Sequence, residues 1–128
     1  MDMGSRRYGD VVVAAPAGRI DHANADGFTA ALAPLLEAPD GAAVLLDFSR
    51  VDYISSVGLR VLMMAAKTLR ARNRKLGVAA PQPVVREIFE ISRFNLILEL
   101  SPSVRDALER MSPLAAAAFD AAKPAAAS

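Results

Sequence analysis

The sequence predicts an α/β fold, with a mixed, mainly parallel β-sheet of about four to five strands and about four helices. Three observations carry that prediction. Val11-Val12-Val13-Ala14-Ala15 and the run from Ala42 to Phe48 are continuously apolar, the pattern of strands covered on both faces. Between and after such runs, apolar residues recur at steps of three and four, which gives helices one buried face. The two patterns alternate as β-α-β-α-β-α-β-α. A helix between consecutive strands implies crossover connections and parallel pairing.

Taken in order, residues 1–7 read as a frayed or partly paired lead-in to the strand at Val11. Pro16 and Gly18 bend or break that strand, Arg19-Ile20 extends the sheet, and Asp21 ends the segment. Phe28, Ala31, Leu32, Leu35 and Leu36 predict a helix from Ala23 to Leu36, capped by Asp21 or Asn24. Pro34 should kink or shorten its last turn. Ala38-Pro39-Asp40-Gly41 is a turn, and Ala42 to Phe48 is the central strand. A second helix is predicted from Val57 to about Asn73. Lys75 to Ala80 forms a third strand. Pro81 and Pro83 then start a helix whose apolar residues are Val84, Val85, Ile88, Phe89 and Ile91. A short strand is expected from Leu96 to Leu100. Ser101 as cap and Pro102 as first helical residue open a final helix that buries Val104, Leu108 and Met111. One domain over residues 1–112 is expected, followed by a flexible Ala/Pro-rich tail over residues 113–128, read as either a loose helix or disordered.

Composition narrows the function classes. With 128 residues and 53% hydrophobic content, the chain can bury a real core in one domain. A formal net charge of +1 argues against a dedicated nucleic-acid binder. No cysteine is present, which removes disulfides, thiolate metal sites and cysteine nucleophiles together. His22 is the only histidine, so no histidine cluster can bind a metal. Arg6-Arg7 followed by a short apolar run reads as a strand rather than a leader, and no stretch approaches the ~20 apolar residues of a membrane span. A cytoplasmic protein without a membrane association is expected.

Ser55 and Ser56 fall where the second helix begins. A hydroxyl there can cap backbone N–H groups, and the same position tolerates an added phosphate. A serine nucleophile would need His22 brought to it by the fold. Asp21, Asp47 and Asp52 have the chemistry for Mg²⁺, but aspartates in such positions are mostly turn and cap residues. Neither phosphate-binding glycine pattern occurs. No catalytic residue, metal site or cofactor is assigned, and the chain reads as a substrate or binding partner rather than an enzyme.

The second helix shows two apolar faces. Leu59, Leu62, Met63, Ala65, Ala66 and Leu69 form an arc wide enough to cover a sheet. Val57, Val61, Met64 and Thr68 form a second, narrower stripe, bordered by Arg60 and Lys67 on one side and Arg72 on the other. Either a neighbouring element covers this stripe, or it is exposed and docks an acidic partner, with Met64 as an adaptable contact. The basic run Arg70, Arg72, Arg74 and Lys75 reads as a solvated helix end matched to the helix dipole.

The stretch Asp47-Phe48-Ser49-Arg50-Val51-Asp52-Tyr53-Ile54-Ser55-Ser56-Val57-Gly58-Leu59 resembles the STAS domain, and more narrowly the bacterial anti-sigma-factor antagonists. Gly18-Arg19-Ile20-Asp21-His22 is similar to the family's Gly-x-Leu-Asp segment, and the order of elements fits over roughly residues 8–111. The resemblance implies a STAS-type sheet and phosphorylation of Ser56, the serine two residues before the helix glycine, with Ser55 as the alternative acceptor. Its implied partners are an anti-sigma factor that is also a serine-protein kinase, and a serine phosphatase. It also implies contacts from Asp21 and from the helix start. Together with the second stripe, these make Asp21, Ser55, Ser56, Val57, Gly58, Arg60, Val61 and Met64 the expected partner surface. Many relatives carry an aspartate where this chain has Ser55 and a hydroxyl residue where it has Val57. The alternative function is a STAS regulatory module that binds a nucleotide or anion, or that scaffolds a non-transcriptional signalling complex. The sequence leaves the oligomeric state open.

Overall fold

The computed structural model describes residues 1 and 3–122. Its main sheet has five strands in the order β1-β2-β4-β6-β7: β1 (Gly4–Tyr8), β2 (Val11–Ala15), β4 (Ala43–Asp47), β6 (Leu76–Ala79) and β7 (Glu99–Ser101). β1 runs antiparallel to β2, and the remaining neighbours are parallel. The mixed, mainly parallel sheet expected from the sequence is therefore present. A second, two-stranded parallel sheet pairs β3 (Gly18–Ile20) with β5 (Val51–Ile54). The helices are α1 (Ala25–Glu37), α2 (Ser56–Ala71), α3 (Pro83–Ile91), α4 (Val104–Met111) and α5 (Pro113–Ala122).

The continuously apolar strands are covered on both faces, as their pattern requires. On β4, Val44 and Leu46 enter the larger core beneath α1, α2 and α3, while Leu45 enters a smaller core beneath α4 and α5. On α2 the predicted arc supplies Leu59, Leu62, Ala65, Ala66 and Leu69 to the larger core.

Two expectations need correction, and two readings left open at the ends of the chain are decided. Residues 4–8 are a strand: their side chains are mostly exposed, but their backbone pairs with β2 from Gly4↔Ala15 to Tyr8↔Val11. The predicted strand at 96–100 is displaced, because Phe94–Leu96 forms a 3-10 turn and β7 begins only at Glu99. Ser101 is the last residue of β7, and its carbonyl accepts the Ala80 N–H, so Ser103 caps α4 in its place. The first ten residues of the predicted flexible tail form α5. Ala115 and Ala116 are small enough to lie close against the β1–β2 turn, where a Cβ on Gly9 would stand 3.2 Å from the Ala115 nitrogen. Tyr8 meets Phe119 edge-on at 5.2 Å, and Arg105 pairs with Asp120 at 2.9 Å. The remainder of that predicted tail, residues 123–128, lies outside the described residues.

The basic run after α2 also has a different use from the one predicted. Arg74 is 7% exposed, and its guanidinium donates to the carbonyls of Ala42 (2.6 Å), Leu36 (2.7 Å) and Leu35 (2.8 Å). Arg72 donates to Leu36 as well, at 2.9 Å. The bonds to Leu35 and Leu36 satisfy carbonyls that α1 leaves open at its C-terminal end, and the bond to Ala42 ties Arg74 to the chain just before β4. α1 runs through Pro34 to Glu37. Burial lowers the pKa of Arg74 from its ordinary value.

Candidate functional site at the start of α2

The small sheet builds the site. Parallel register aligns Ile20 with Ile54, so the chain leaves β3 and β5 at neighbouring points and brings Asp21 beside the serine pair. The Ser55 N–H donates to the Ile20 carbonyl at 2.8 Å, which extends the ladder by one bond. Hydropathy did not reveal this pairing, since the two strands have only three and four residues. The β-forming residues Val51, Tyr53 and Ile54 were the available signal.

The two serines have different roles. Ser55 is extended (φ −87°, ψ 173°) and half-buried, and its Oγ accepts the Gly58 N–H at 3.3 Å. Its carbonyl accepts the Leu59 N–H at 2.9 Å. Ser55 is thus an N-cap that satisfies one of the helix's orphan donors. Ser56 is the first helical residue, exposed, and its hydroxyl makes no hydrogen bond among the described residues. The first turn of α2 contains no acidic residue.

Gly58 explains how tightly this helix start is seated. It is buried, and a Cβ there would stand 2.8 Å from Ile54 Cγ1 and 2.9 Å from Ile20 Cγ2. Only a residue without a side chain lets α2 press against the ends of β3 and β5. Gly58 therefore shapes the surface from beneath.

The aspartates are engaged in local turns. Asp21 Oδ1 accepts the Ala23 N–H at 3.0 Å, and Oδ2 lies 3.5 Å from Arg19 Nε. The Asp21 N–H donates to Asn24 Oδ1, and Asn24 Nδ2 donates to the Arg19 carbonyl at 2.6 Å. The Arg19 guanidinium sits 4.4 Å from the centre of the Tyr53 ring. Arg19, Asp21, Asn24 and Tyr53 thus form a latch that fixes the β3–α1 corner next to the serines, with the cation–π contact adding to the ion pair. Sequence reading singled out Asp21 alone from this set. Asp47 Oδ1 accepts the Ser49 N–H at 3.0 Å. Among the described residues no cluster of three acidic or histidine side chains is placed to hold a metal, and no hydrogen bond joins His22 to either serine.

The second stripe of α2 is divided. Val57 (36%) and Met64 (62%) are exposed. Val61 is half-covered by the larger core, and Thr68 is partly buried. Val61, Met64 and Thr68 border a shallow cleft of about 170 Å³ whose far wall is Thr29, Leu32 and Leu36 of α1. Arg60 and Lys67 lie exposed on the same helix. The site thus combines an exposed hydroxyl, a small apolar surface and the basic Arg60 near the start of α2, with Lys67 further along the helix.

Comparison with known proteins places this arrangement. The sequence pattern described as the STAS domain matches residues 3–107. The chain belongs to the STAS domain family. Over 114 residues this STAS protein is 40% identical to BtrV of Bordetella bronchiseptica, named as an anti-sigma factor antagonist, covering 89% of this chain and 90% of that one. Its fold is similar to an anti-sigma factor antagonist from Mycobacterium paratuberculosis, with TM-score 0.76, 25% identity, and 86% and 92% of the two chains covered. It is also similar to SpoIIAA in its unphosphorylated form, with TM-score 0.71, 18% identity, and 85% and 95% covered. The phosphorylated form of SpoIIAA gives a TM-score of 0.64 at 18% identity, with 87% and 100% covered. Among the described residues, no helix is long and apolar enough to cross a membrane.

Proposed function

We propose that this STAS protein is a cytoplasmic anti-sigma-factor antagonist that works by partner switching and carries no enzymatic activity of its own. In its unmodified form it binds an anti-sigma factor that is also a serine kinase, and phosphorylation of Ser56 releases it. A serine phosphatase resets the cycle. The observation that carries this reading is the division of labour between the serines. The Ser55 hydroxyl is engaged in capping, whereas the Ser56 hydroxyl is exposed and unengaged. The 40% identity to BtrV supports the antagonist class.

In the kinase step, Ser56 Oγ bonds to the γ-phosphorus of ATP, the bond from that phosphorus to the β-phosphate oxygen breaks, and the hydroxyl proton passes to a base on the kinase. ADP leaves. The phosphate adds about −1.5 to −2 charges. At a helix start with no acid in its first turn, this charge is compatible with the fold. At a docked surface the same charge is desolvated against the partner, and a loss of roughly 3 kcal/mol weakens binding about a hundredfold. The proposed contact surface comprises Asp21, Ser55, Ser56, Val57, Arg60, Val61 and Met64, supported from beneath by Gly58.

The test begins with the kinase recovered on the wild-type protein from native lysate. Incubation with ATP followed by mass spectrometry should place phosphate on Ser56, and Ser56→Ala should abolish it. Ser56→Asp should keep the native melting profile yet fail to retain the kinase. Phosphate that persists in Ser56→Ala, or is found on Ser55, would overturn the assignment.

A further inference from the structure

We propose that Arg60 is the internal counter-ion for the phosphate on Ser56, so that modification neutralises a cation of the docking surface as well as adding an anion to it. The inference rests on the reading of Ser56 as the modified residue. Ser56 opens α2, and Arg60 lies four residues on, one turn along the same face. Side chains at that spacing are neighbours, with Cβ atoms about 5–6 Å apart. Helical side chains lean toward the N-terminus, so a side chain as long as that of arginine at position 60 can reach back to the Ser56 hydroxyl. Both residues are exposed, which leaves room for a phosphate between them.

Among the described residues of the unmodified chain, Arg60 has no partner. It makes no ion pair or hydrogen bond among the described residues. Its helical neighbours at three and four residues are Ser56, Val57, Met63 and Met64, none of them acidic. Along its own helix face, a phosphorylated Ser56 is therefore the one group able to become its counter-ion.

The charged and titratable groups on the adjoining corner are Arg19, Asp21, His22 and Asp52. Arg19, on β3, is occupied by Asp21 and the Tyr53 ring. Asp21 itself and Asp52 on β5 carry negative charge, and His22 follows Asp21 at the exposed corner. A guanidinium presents paired N–H donors that match phosphate oxygens, which a lysine ammonium does not. In the unmodified protein Arg60 is free to meet an acidic partner, and in the modified protein it is turned back onto its own helix.

The experiment uses the full chain with phosphoserine installed at position 56 by genetic code expansion, so that no kinase is needed. ³¹P NMR follows the phosphate through its second ionisation, ordinarily near pH 6. A nearby cation favours the dianion, so the parent protein should titrate below that value, and Arg60→Gln should raise the midpoint by roughly half a unit or more. Arg60→Lys should restore part of the shift. Lys67→Gln removes the same charge nearly two turns further on and should change nothing. About 1 M salt should erase the difference between parent and Arg60→Gln. Identical titrations of parent and Arg60→Gln, or an equal response to Lys67→Gln, would overturn the role of Arg60. Failure of the Ser56 assignment shows separately, as kinase labelling that misses Ser56.

Discussion

Helices α2 and α4 each begin with an extended serine whose Oγ accepts the N–H three residues on: Ser55 from Gly58 at 3.3 Å, and Ser103 from Asp106 at 3.1 Å. Beyond the cap the two starts diverge. The first turn of α4 contains Asp106, whose carboxylate complements the helix dipole. Its neighbour Arg105 is held by Asp120 of α5 at 2.9 Å and by Glu109 at 2.8 Å, which together raise its pKa above the ordinary arginine value. Every electrostatic demand at that start is met inside the chain. At α2 no carboxylate sits in the first turn, and among the described residues the Ser56 hydroxyl is unengaged and Arg60 has no counter-ion. The same cap thus serves a closed structural joint in one helix and an open, chargeable one in the other.

The largest expected difference lies in how tightly each start is seated. Gly58→Ala places a Cβ within 3 Å of Ile54 and Ile20, so these side chains or the helix must shift. A cost of about 1–3 kcal/mol is expected, partly offset by the better helix propensity of alanine. Asp106 holds the equivalent position in α4 and is exposed, so Asp106→Ala should cost only about 0.3–1 kcal/mol. Urea midpoints of the two variants check this. Equal small losses would show that α2 is no more tightly seated than α4.

How much of this was legible in the sequence depends on the kind of interaction involved. β2, β4 and β6 were readable because each is apolar on both faces, and α2 because its buried arc, Leu59 to Leu69, keeps a helical period over about three turns. β1 was not, since Ser5, Arg6 and Arg7 are exposed and the strand is held chiefly by backbone pairing to β2, with Tyr8 alone packing on the smaller core. The α5 region looked like a low-complexity tail because alanine carries little hydrophobic signal, yet Ala115 and Ala116 are buried in the smaller core and the Ala115 backbone lies close to Gly9. Arg74 looked like one more solvated cation, and no local pattern reveals that it terminates α1 from nearly forty residues away. At the site, the serine pair was visible as a contiguous motif. The separation of cap from free hydroxyl was not, because two adjacent serines are chemically equal until the backbone distinguishes them.

Removing the caps should have an intermediate and nearly matched effect. Ser55→Ala and Ser103→Ala each release one backbone N–H, at a cost of about 1 kcal/mol. Thermal melts of the two variants should therefore shift alike. A markedly larger loss for Ser55→Ala would mean that its hydroxyl supports more of the site than the Gly58 N–H, and the parallel between the two starts would fail.

The smallest effect is also the sharpest probe of the electrostatic difference. Ser55→Asp and Ser103→Asp both preserve a capping oxygen and add one negative charge. At α2 that charge enters a first turn with no acid and a free Arg60 nearby. At α4 it joins Asp106, and repulsion cancels part of the gain. Ser55→Asp should therefore stabilise by about 0.3–1 kcal/mol at low ionic strength, and Ser103→Asp by less. A helix start lowers the folded-state pKa of a carboxylate, so the gain is present above the unfolded value near 3.9 and is lost as pH falls through the folded one. It should also fade at about 1 M salt. Melts at pH 7 and pH 2, each at low and high salt, measure both dependences. If the two aspartates stabilise equally under every condition, the α2 start is no more receptive to an anion than α4, and the docking of a phosphate on Ser56 must then be explained by the partner alone.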